Sequence, residues 1–473
     1  MAFIAIPDID MRGIEMKDGT TDINREQLAT RIGFLLVSAG CAIGLGNIWR
    51  FPFIVGKYGG AAFVIVYLVF LLILGLPILI MEFATGRAGR QNIAGSLRKL
   101  EPSGKRWHLF GYIAIIGNII LLMFYTTVAG WGFAYFYYMV KGSFIYLGPL
   151  EIGLFFDLFM DRTLEMITWM ALVVGLGTFI CSVGLQKGVE RASKVMMSGL
   201  FFILIILVLR SVTLPGAAEG ISFYLEPDFS VLSWQGIYAA MTQAFFTLSV
   251  GVGGMTIFGS YINKDHSLTG ESLRITFLDT TIALMAGLMI FPACSAFGID
   301  VGSGPGILFV TLPNVFNQMP AGILWGTLFF LFLAFASMST VMGISENVIA
   351  FSMDEWGWKR KKASIISGVA IFILSIPCCL GFGPLSWYQP FGEGTSILDL
   401  EDFIFANNIL PIGALTLVLF CSYGFGWGWN NFIREADTGK GLKFPSWTRT
   451  YIRYVLPLII IFILVRGWIG TLS

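Results

Sequence analysis

Charged residues are scarce in this sequence of 473 amino acids: Asp, Glu, Lys and Arg make up 12% of it, and the net charge is +1. So few charges exclude an ordinary soluble globular protein, and the near-neutral balance gives no reason to expect a nucleic-acid partner. With only two histidines, His108 and His266, no catalytic constellation emerges, so an enzyme is not expected. The six cysteines lie in apolar runs without metal-ligand spacing, which indicates neither a disulfide framework nor a zinc site.

Apolar residues, by contrast, make up 56% of the chain and come in long uncharged runs. Most runs, with their flanks, reach the roughly 20 residues that a membrane-spanning helix needs, so the sequence predicts about eleven spans. The runs cover residues 32–49, 58–81, 107–140, 166–186, 195–209, 229–263, 280–299, 301–345, 363–392, 403–433 and 454–465. Run 301–345 is too long for one helix, and its prolines predict a broken extracellular segment before a helix that starts near Ala321.

The distribution of basic residues predicts the orientation. With the N-terminus in the cytoplasm, roughly 24 of the 30 lysines and arginines fall on the cytoplasmic side, as the positive-inside rule requires. The first 31 residues are polar and charged, unlike a signal peptide. We therefore expect a multi-pass protein of the cell membrane (inner or plasma membrane), in contact with the lipid bilayer, with an extracellular C-terminus after an odd number of spans.

The first apolar run contains an unusual stretch, SAGCAIGLGNIWRFP, in which Gly40, Gly44, Gly46 and Asn47 follow one another closely. Glycines four residues apart also form helix-packing faces, which is the alternative interpretation. A second glycine-rich stretch, FTLSVGVGGM at residues 246–255, lies about 200 residues later at the corresponding place of a second five-helix half. Unwound turns free backbone carbonyls and amides that must find partners in the membrane. Paired breaks therefore predict an inverted-repeat transporter that offers these groups to ions and a zwitterionic solute.

Polar side chains inside the apolar runs point the same way. Asp279 directly precedes an uncharged run, and a carboxylate at such depth is usually functional, although a helix-end residue reaching the interface is the alternative. Glu82 follows Pro77, and we expect it to bond loosened backbone rather than an ion. Ser339 and Thr340 are weak signals alone, because membrane hydroxyls often bond to their own helix.

One long motif resembles a known family. The stretch REQLATRIGFLLVSAGCAIGLGNIWRFPFIVGKYGGAAF, followed by MEFATGR, QAFFTLSVGVGG and GPGILFVTLPNVF, is similar to the neurotransmitter:sodium symporter family over nearly the whole chain. The resemblance implies an all-α membrane protein with a LeuT-type 5+5 inverted repeat, in which helices 1 and 6 are unwound, plus one extra C-terminal helix. In this interpretation residues 1–473 form a single transport domain. Its parts are the cytoplasmic N-terminus 1–31, the repeats 32–211 and 232–433, and the eleventh helix 448–473.

The resemblance also implies two sodium sites made of oxygen ligands, which a hard cation prefers. The first would comprise the carbonyl of Ala42 with Asn47, Thr247 and Asp279, completed by the substrate's own carboxylate. The second would comprise the carbonyls of Gly40, Ile43 and Ala336 with the hydroxyls of Ser339 and Thr340.

A substrate site and two gates are implied as well. The implied substrate-binding residues are Ala42, Leu45, Gly46, Leu121, Tyr125, Phe246, Thr247, Ser249, Val252, Thr340 and Ile344. An outer gate would pair Arg50 with Asp402, and an inner gate would pair Arg25 with Asp354 near Tyr261.

Departures from the family pattern refine the expectation. Asp279 stands where members have a neutral group, so a fixed charge replaces chloride; we expect chloride independence, with proton antiport through Asp279 on the return step. Gly44 stands where the amine transporters of the family carry an aspartate, so we expect amino acids rather than amines as substrates. Val252 replaces a large aromatic residue and enlarges the pocket for aliphatic and aromatic side chains. Ser198 stands where members often have a proline linked with inner opening.

The sequence thus predicts a Na⁺-coupled symporter that imports neutral, hydrophobic L-amino acids by alternating access, without chloride. A proton-coupled amino acid carrier of the same fold is the alternative, against which Asn47, Ser339 and Thr340 argue. An ion channel would need a continuous polar path and usually symmetric subunits, whereas the weak points here are paired within one chain.

Overall fold

The computed structural model describes residues 26–299 and 306–472, and these ranges fold into helices joined by turns and short loops. Arg25 of the predicted inner gate lies outside the described residues. Numbered in chain order, the helices are α1 (Arg31–Ala42), α2 (Gly46–Lys57), α3 (Gly60–Gly89), α4 (Ile93–Leu100), α5 (His108–Val140), α6 (Pro149–Asp161), α7 (Thr163–Val183), α8 (Leu185–Val212), α9 (Ala218–Leu225), α10 (Trp234–Thr247), α11 (Gly254–Tyr261), α12 (Leu268–Ala296), α13 (Leu312–Gln318), α14 (Gly322–Trp356), α15 (Arg360–Leu380), α16 (Ile397–Ser422), α17 (Trp429–Ala436) and α18 (Ser446–Ile469).

Within the described ranges, nine helices are long and apolar enough to cross a membrane: α3, α5, α7, α8, α12, α14, α15, α16 and α18. A further span is possible if α1 and α2 are taken together, with a bend of 57° between them. The shorter helices α10 and α11, separated by residues 248–253, occupy the remaining predicted run. The predicted number of about eleven spans requires that each of these two pairs be one broken span.

Local backbone chemistry sets several helix ends. The hydroxyl of Thr30 accepts a hydrogen bond from the amide of Gly33 at 2.9 Å and caps the start of α1. α14 begins at Gly322 after Ala321, whose φ of 59° lies in the left-handed region, and it ends before Gly357. The helix therefore starts next to the predicted position.

The apolar run 403–433 is not one helix, contrary to its appearance in the sequence. α16 ends at Ser422, and the chain turns before α17 starts at Trp429. Gly428 adopts a φ of 87°, and a Cβ on Gly426 would lie 2.5 Å from the carbonyl oxygen of Phe420. Glycines thus form this turn, and in the sequence they were included in the run because it was defined by its lack of charged residues.

The two helix breaks lie at the centre of the packed bundle. α14 packs along α5, α8 and α1, and α11 packs against α3. The approach of α1 to α14 is close, because a Cβ on Gly343 would lie 2.7 Å from the side chain of Cys41. α11 and α3 approach closely too, since a Cβ on Gly86 would lie 1.8 Å from the carbonyl oxygen of Thr256. Small residues let these backbones come together, so the side chains flanking each break face other helices.

Candidate functional site

The break between α1 and α2 frees backbone carbonyls at the end of α1. In a continuous helix the amides of Gly44 and Leu45 would donate to the carbonyls four residues earlier. Here the Gly44 amide donates to Oδ1 of Asn47 at 3.3 Å, and the Leu45 amide donates to the hydroxyl of Tyr125 at 3.0 Å. The carbonyl of Gly40 therefore loses its usual helical partner and is available to another group.

The break between α10 and α11 is stabilised by a buried carboxylate. Glu82 of α3 accepts hydrogen bonds from the amides of Gly251, Gly253 and Met255 at 2.5, 3.3 and 3.0 Å. The side chain of Asn118 on α5 donates to the carbonyl of Val252 at 2.8 Å. Glu82 thus bonds loosened backbone, as the sequence predicted, and it satisfies amides at the start of α11.

Three of the side chains predicted for the first sodium site meet at the two breaks. Nδ2 of Asn47 donates to Oδ1 of Asp279 at 2.9 Å and to Oγ1 of Thr247 at 3.3 Å, and Oγ1 of Thr247 donates to Oδ2 of Asp279 at 2.9 Å. All three side chains are buried, and Ala42, the fourth predicted ligand, is the last residue of α1. Among the described residues Asp279 has no ion-pair partner within 4.0 Å, so its carboxylate, when ionised, gives the cluster a net negative charge that favours a cation.

The residues predicted for the second sodium site join α1 to α14. Oγ1 of Thr340 lies 3.5 Å from the carbonyl oxygen of Gly40 and 3.3 Å from that of Ile43. Oγ of Ser339 donates to the carbonyl of Ala336 at 2.8 Å, and a Cβ on Gly40 would lie 3.3 Å from Cβ of Ser339. These five residues therefore share one buried contact region rich in oxygen atoms.

A cavity of about 280 Å³ lies beside the break between α1 and α2. Four of the predicted substrate-binding residues line it, namely Leu45, Gly46, Tyr125 and Phe246. The other lining residues are Trp49, Arg50, Phe53, Phe124, Val128, Asp399 and Asp402. Most of this lining is apolar or aromatic, with charge confined to one arginine and two aspartates.

The remaining predicted substrate residues do not line this cavity. Leu121, Val252 and Ile344 are buried in the bundle, and Thr340 contacts α1. Ser249 is half-buried, with a φ of 50° in the second break. These residues surround the two breaks, while the cavity reaches the breaks from one side.

The predicted outer gate residues Arg50 and Asp402 line the same cavity. They form no ion pair in the described part of the chain, and the guanidinium of Arg50 lies instead 4.2 Å from the ring centroid of Phe246. Their pairing on closure stays a prediction.

The opposite end of the bundle carries a network that the sequence did not reveal. Tyr261, a predicted gate residue, donates to Oε1 of Glu346 at 2.8 Å. Glu346 is fully buried and accepts two hydrogen bonds from Arg360, at 2.7 and 2.9 Å, and Arg360 also contacts Glu26 at 2.7 Å. A glutamate directly after the apolar run 301–345 was the only available sequence signal.

Asp354 of the predicted inner gate contacts the loop before α4. Its Oδ2 accepts hydrogen bonds from the amide and the side chain of Asn92 at 2.7 and 3.2 Å. The predicted partner, Arg25, lies outside the described residues, so the inner pair stays a prediction.

The start of α1 is held by two further carboxylates that sequence reasoning missed. Glu271 of α12 forms an ion pair with Arg31 at 2.6 Å. Glu190 of α8 accepts a hydrogen bond from the amide of Ala29 at 2.7 Å and from the hydroxyl of Thr30 at 3.0 Å. These contacts tie α1 to two neighbouring helices at the end away from the cavity.

Comparison with known proteins shows which family this chain is similar to. The chain matches the sodium:neurotransmitter symporter family over residues 25–146 and 160–471. It is 36% identical to an uncharacterized sodium-dependent transporter, YhdH of Bacillus subtilis, over 94% of this chain and 98% of that protein. A sodium- and chloride-dependent GABA transporter of Bos taurus is 27% identical over 76% of this chain and 67% of its own length.

The fold likeness is equally extensive. A crystal structure of MhsT in complex with L-phenylalanine matches with a TM-score of 0.84 and 38% identity, over 94% of this chain and all of that chain. The family consists of transporters rather than enzymes. The chain therefore belongs to the sodium:neurotransmitter symporter family, and it is a sodium-dependent membrane transporter.

Proposed function

We propose that this protein is a Na⁺-coupled secondary active symporter that imports neutral, hydrophobic L-amino acids by alternating access, independently of chloride. The observation that carries the proposal is the contact of Asn47, Thr247 and Asp279 where two broken helices meet. Buried oxygen atoms around a carboxylate that has no cationic partner among the described residues suit a sodium ion. Freed carbonyls beside them offer the further ligands that such an ion needs.

The architecture in this proposal is the inverted repeat. Residues 32–211 and 232–433 form the two repeats, 448–473 adds the eleventh helix, and 1–31 is the cytoplasmic N-terminus. The support is that α1 with α2, and α10 with α11, are interrupted at corresponding places. The concentration of lysine and arginine on one side supports a cell membrane orientation with the C-terminus outside.

The carboxylate of the substrate is assigned to the first break. Glu82 already occupies amides at the start of α11, so a second carboxylate there would meet like charge. The start of α2 is free of acidic side chains, and helix N-termini favour carboxylates. Tyr125 accepts from the Leu45 amide, and its own hydroxyl proton remains available to donate to the substrate.

Amino acids are preferred over amines because of the space around Gly44. A Cβ on Gly44 would lie 2.3 Å from the hydroxyl oxygen of Tyr125 and 2.5 Å from Oγ1 of Thr340. An aspartate for an amine ligand would therefore displace both groups. The apolar lining of the adjoining cavity, including Phe53, Phe124 and Phe246, favours a hydrophobic side chain. MhsT, which is similar over nearly the whole chain, was crystallised with L-phenylalanine, consistent with this class.

Chloride independence follows from the fixed charge of Asp279. The cluster has a carboxylate that hydrogen bonds only to Asn47 and Thr247 in the described part of the chain. The negative charge of this carboxylate offsets one of the two positive charges that two sodium ions bring. The zwitterionic substrate adds no net charge, so no additional anion is needed. A proton taken up by Asp279 after sodium leaves would serve the return step.

Uptake into proteoliposomes tests the proposal directly. The purified full chain is reconstituted, and a panel of labelled amino acids is supplied with and without an inward Na⁺ gradient, in chloride and in gluconate. We expect Na⁺-driven uptake of leucine-, phenylalanine- or tryptophan-like substrates that is equal in both anions. The absence of Na⁺ stimulation for every neutral amino acid would overturn the symport proposal, and loss of uptake in gluconate would overturn chloride independence.

A further inference from the structure

A crevice of about 750 Å³ in the described part of the chain shares no lining residue with the cavity beside the first break. It lies between the start of α1, the first turns of α12 and the loop after α17. Its lining residues are Arg31, Leu35, His266, Ser267, Gly270, Leu273, Arg274, Phe277, Leu278, Lys440, Gly441 and Leu442. None of these residues belongs to the predicted sodium or substrate sites, so the chemistry of the crevice requires a separate explanation.

The crevice is basic. Arg31, Arg274 and Lys440 contribute three positive charges, and Glu271, which pairs with both arginines at 2.6 and 2.8 Å, offsets one of them. Lys440 is exposed and has no ion-pair partner in the described ranges. The N-terminus of the long helix α12 points toward the same place and adds its partial positive charge. The net field favours an anion.

A buried hydroxyl in the crevice has no partner. Ser267 is 1% exposed, and its Oγ makes no hydrogen bond to any described residue. Ser267 precedes the first residue of α12, where serine usually caps the helix, but its side chain caps no amide here. A buried hydroxyl without a partner is costly, and an anionic oxygen in the crevice would satisfy it.

The loop after α17 lies against this hydroxyl without covering it with a side chain at position 441. The Lys440 amide donates to the carbonyl of Asp265 at 2.8 Å, and the Lys440 carbonyl accepts from the Ser267 amide at 3.0 Å. These bonds hold the loop beside the start of α12. A Cβ on Gly441, whose φ is 131°, would lie 2.7 Å from Oγ of Ser267. Any other residue at 441 would cover the hydroxyl.

One wall of the crevice is apolar and exposed. Phe277 is 70% exposed and follows Arg274 by one turn of α12, a helix that is apolar enough to span a membrane. Leu442 is 59% exposed beside it. Ser267, Gly270, Arg274 and Phe277 repeat at helical spacing, so one face of α12 passes from polar to apolar along its length. The polar end of this face suits the phosphate head group of a lipid, and its apolar end suits the acyl chains.

We propose that the crevice binds an anionic phospholipid, with the phosphate at Ser267, Arg274 and Lys440 and the acyl chains along Phe277 and Leu442. Basic pockets between membrane helices are suited to such head groups. The bound lipid would bridge α1, through Arg31, to α12 and the loop after α17. A lipid site at the base of α1 is independent of which solute is transported.

Native mass spectrometry of the full chain in nonionic detergent tests the proposal, with dioleoylphosphatidylglycerol and dioleoylphosphatidylcholine offered in equal amounts. We expect preferential retention of phosphatidylglycerol by the wild type. Lys440→Gln is expected to lower this retention roughly fivefold, the loss expected for one basic residue near an anionic lipid. Ser267→Ala is expected to lower it about threefold, through one lost hydrogen bond.

Lys361→Gln is the matched control, because Lys361 is an exposed lysine on the same predicted cytoplasmic side and does not line the crevice. Thermal unfolding of each variant in the same detergent checks that it is folded.

Equal retention of the two lipids by the wild type overturns the proposal. So does equal loss in Lys361→Gln and Lys440→Gln, which indicates general surface charge. Displacement of the lipid by equimolar inorganic phosphate assigns the site to free phosphate instead. If the wild type does not bind the lipid but a variant without residues 1–25 does, the crevice is assigned to residues 1–25 and the proposal is overturned.

Discussion

Asn47 and Asp279, which are 232 residues apart, are joined by a hydrogen bond of 2.9 Å from Nδ2 to Oδ1. The bond connects the start of α2 to the middle of α12, and Thr247 at the end of α10 contacts both residues. A cation bound at this point would therefore contact both broken helices at once. An ion that stabilises one arrangement of the two breaks thereby favours one conformation of the transporter.

The charge of Asp279 is expected to decide the chloride requirement. Wild-type uptake is expected to be the same in chloride and in gluconate, because the carboxylate supplies the negative charge itself. Asp279→Asn keeps the shape and hydrogen-bonding capacity but removes the charge, so its uptake is expected to become chloride-dependent. Initial uptake rates in proteoliposomes measure both effects. Equal rates for Asp279→Asn with and without chloride would contradict the charge argument.

The hydroxyl of Thr247 is expected to contribute to sodium affinity. Thr247→Val preserves the side-chain shape but removes an oxygen beside Asn47 and Asp279. We expect the Na⁺ concentration for half-maximal uptake to rise roughly tenfold, the factor that corresponds to about 1.4 kcal/mol. Thr281→Val is the control, since among the described residues the Thr281 hydroxyl bonds only to the carbonyl of Phe277 on its own helix. An unchanged Na⁺ dependence in Thr247→Val would remove Thr247 from the site.

The space at Gly44 is expected to be essential. In Gly44→Ala the new Cβ would collide with Tyr125 and Thr340, whose oxygen atoms would lie 2.3 and 2.5 Å away. We expect uptake to fall at least tenfold, because the Tyr125 hydroxyl, which we propose to contact the substrate, and Thr340 of the second sodium site are both displaced. Gly254→Ala is the matched control at the other break, where the Cβ would lie 3.8 Å from Ile344 in ordinary contact. Similar losses in the two variants would refute the steric explanation.

Glu82 is expected to stabilise the second break rather than to bind an ion. Glu82→Gln replaces one of two acceptor oxygens with an amino group facing backbone amides. The expected loss is about 1–3 kcal/mol, the cost of leaving a buried donor unsatisfied, seen as a lower melting temperature in detergent. Glu219→Gln, an exposed glutamate, is the control. A changed Na⁺ dependence with unchanged melting temperature would indicate an ion-binding role instead.

The network around Glu346 is expected to keep the predicted inner side closed. Arg360→Gln leaves the buried carboxylate of Glu346 without its charged partner, and such a loss is strongly destabilising for the closed arrangement. Cys181 is fully buried, and its carbonyl lies 3.5 Å from Arg360. We therefore expect faster alkylation of Cys181 by maleimide, measured by peptide mass spectrometry.

Arg98→Gln is the control for this experiment. Arg98 forms a more exposed ion pair with Glu355 at 3.0 Å, and its loss is expected to change Cys181 alkylation little. Unchanged alkylation in Arg360→Gln would show that the network does not hold this region closed.

Short-range patterns were sufficient to predict much of the site. The glycines of residues 40–46 and 251–254 lower helix propensity within apolar runs, and the structure interrupts its helices there. Glu82, which follows Pro77 within α3, was predicted to bond loosened backbone, and it does so, although that backbone lies 169 residues later in the chain. These features were visible because a backbone break and its nearest polar side chains leave a local mark on an otherwise apolar run.

Long-range partnerships were decided by the tertiary structure alone. Glu346 bonds Arg360 and Tyr261, and Glu271 bonds Arg31, because helices distant in the sequence pack side by side. Run 403–433 reads as uniformly apolar, yet glycines turn the chain after Ser422 to dock α17. A charged group that is buried requires a partner. The hydrophobic pattern of the sequence does not predict which residue that partner is. The sequence by itself thus determined a membrane protein with two weakened helices, while packing decided which buried charges meet and where the basic crevice lies.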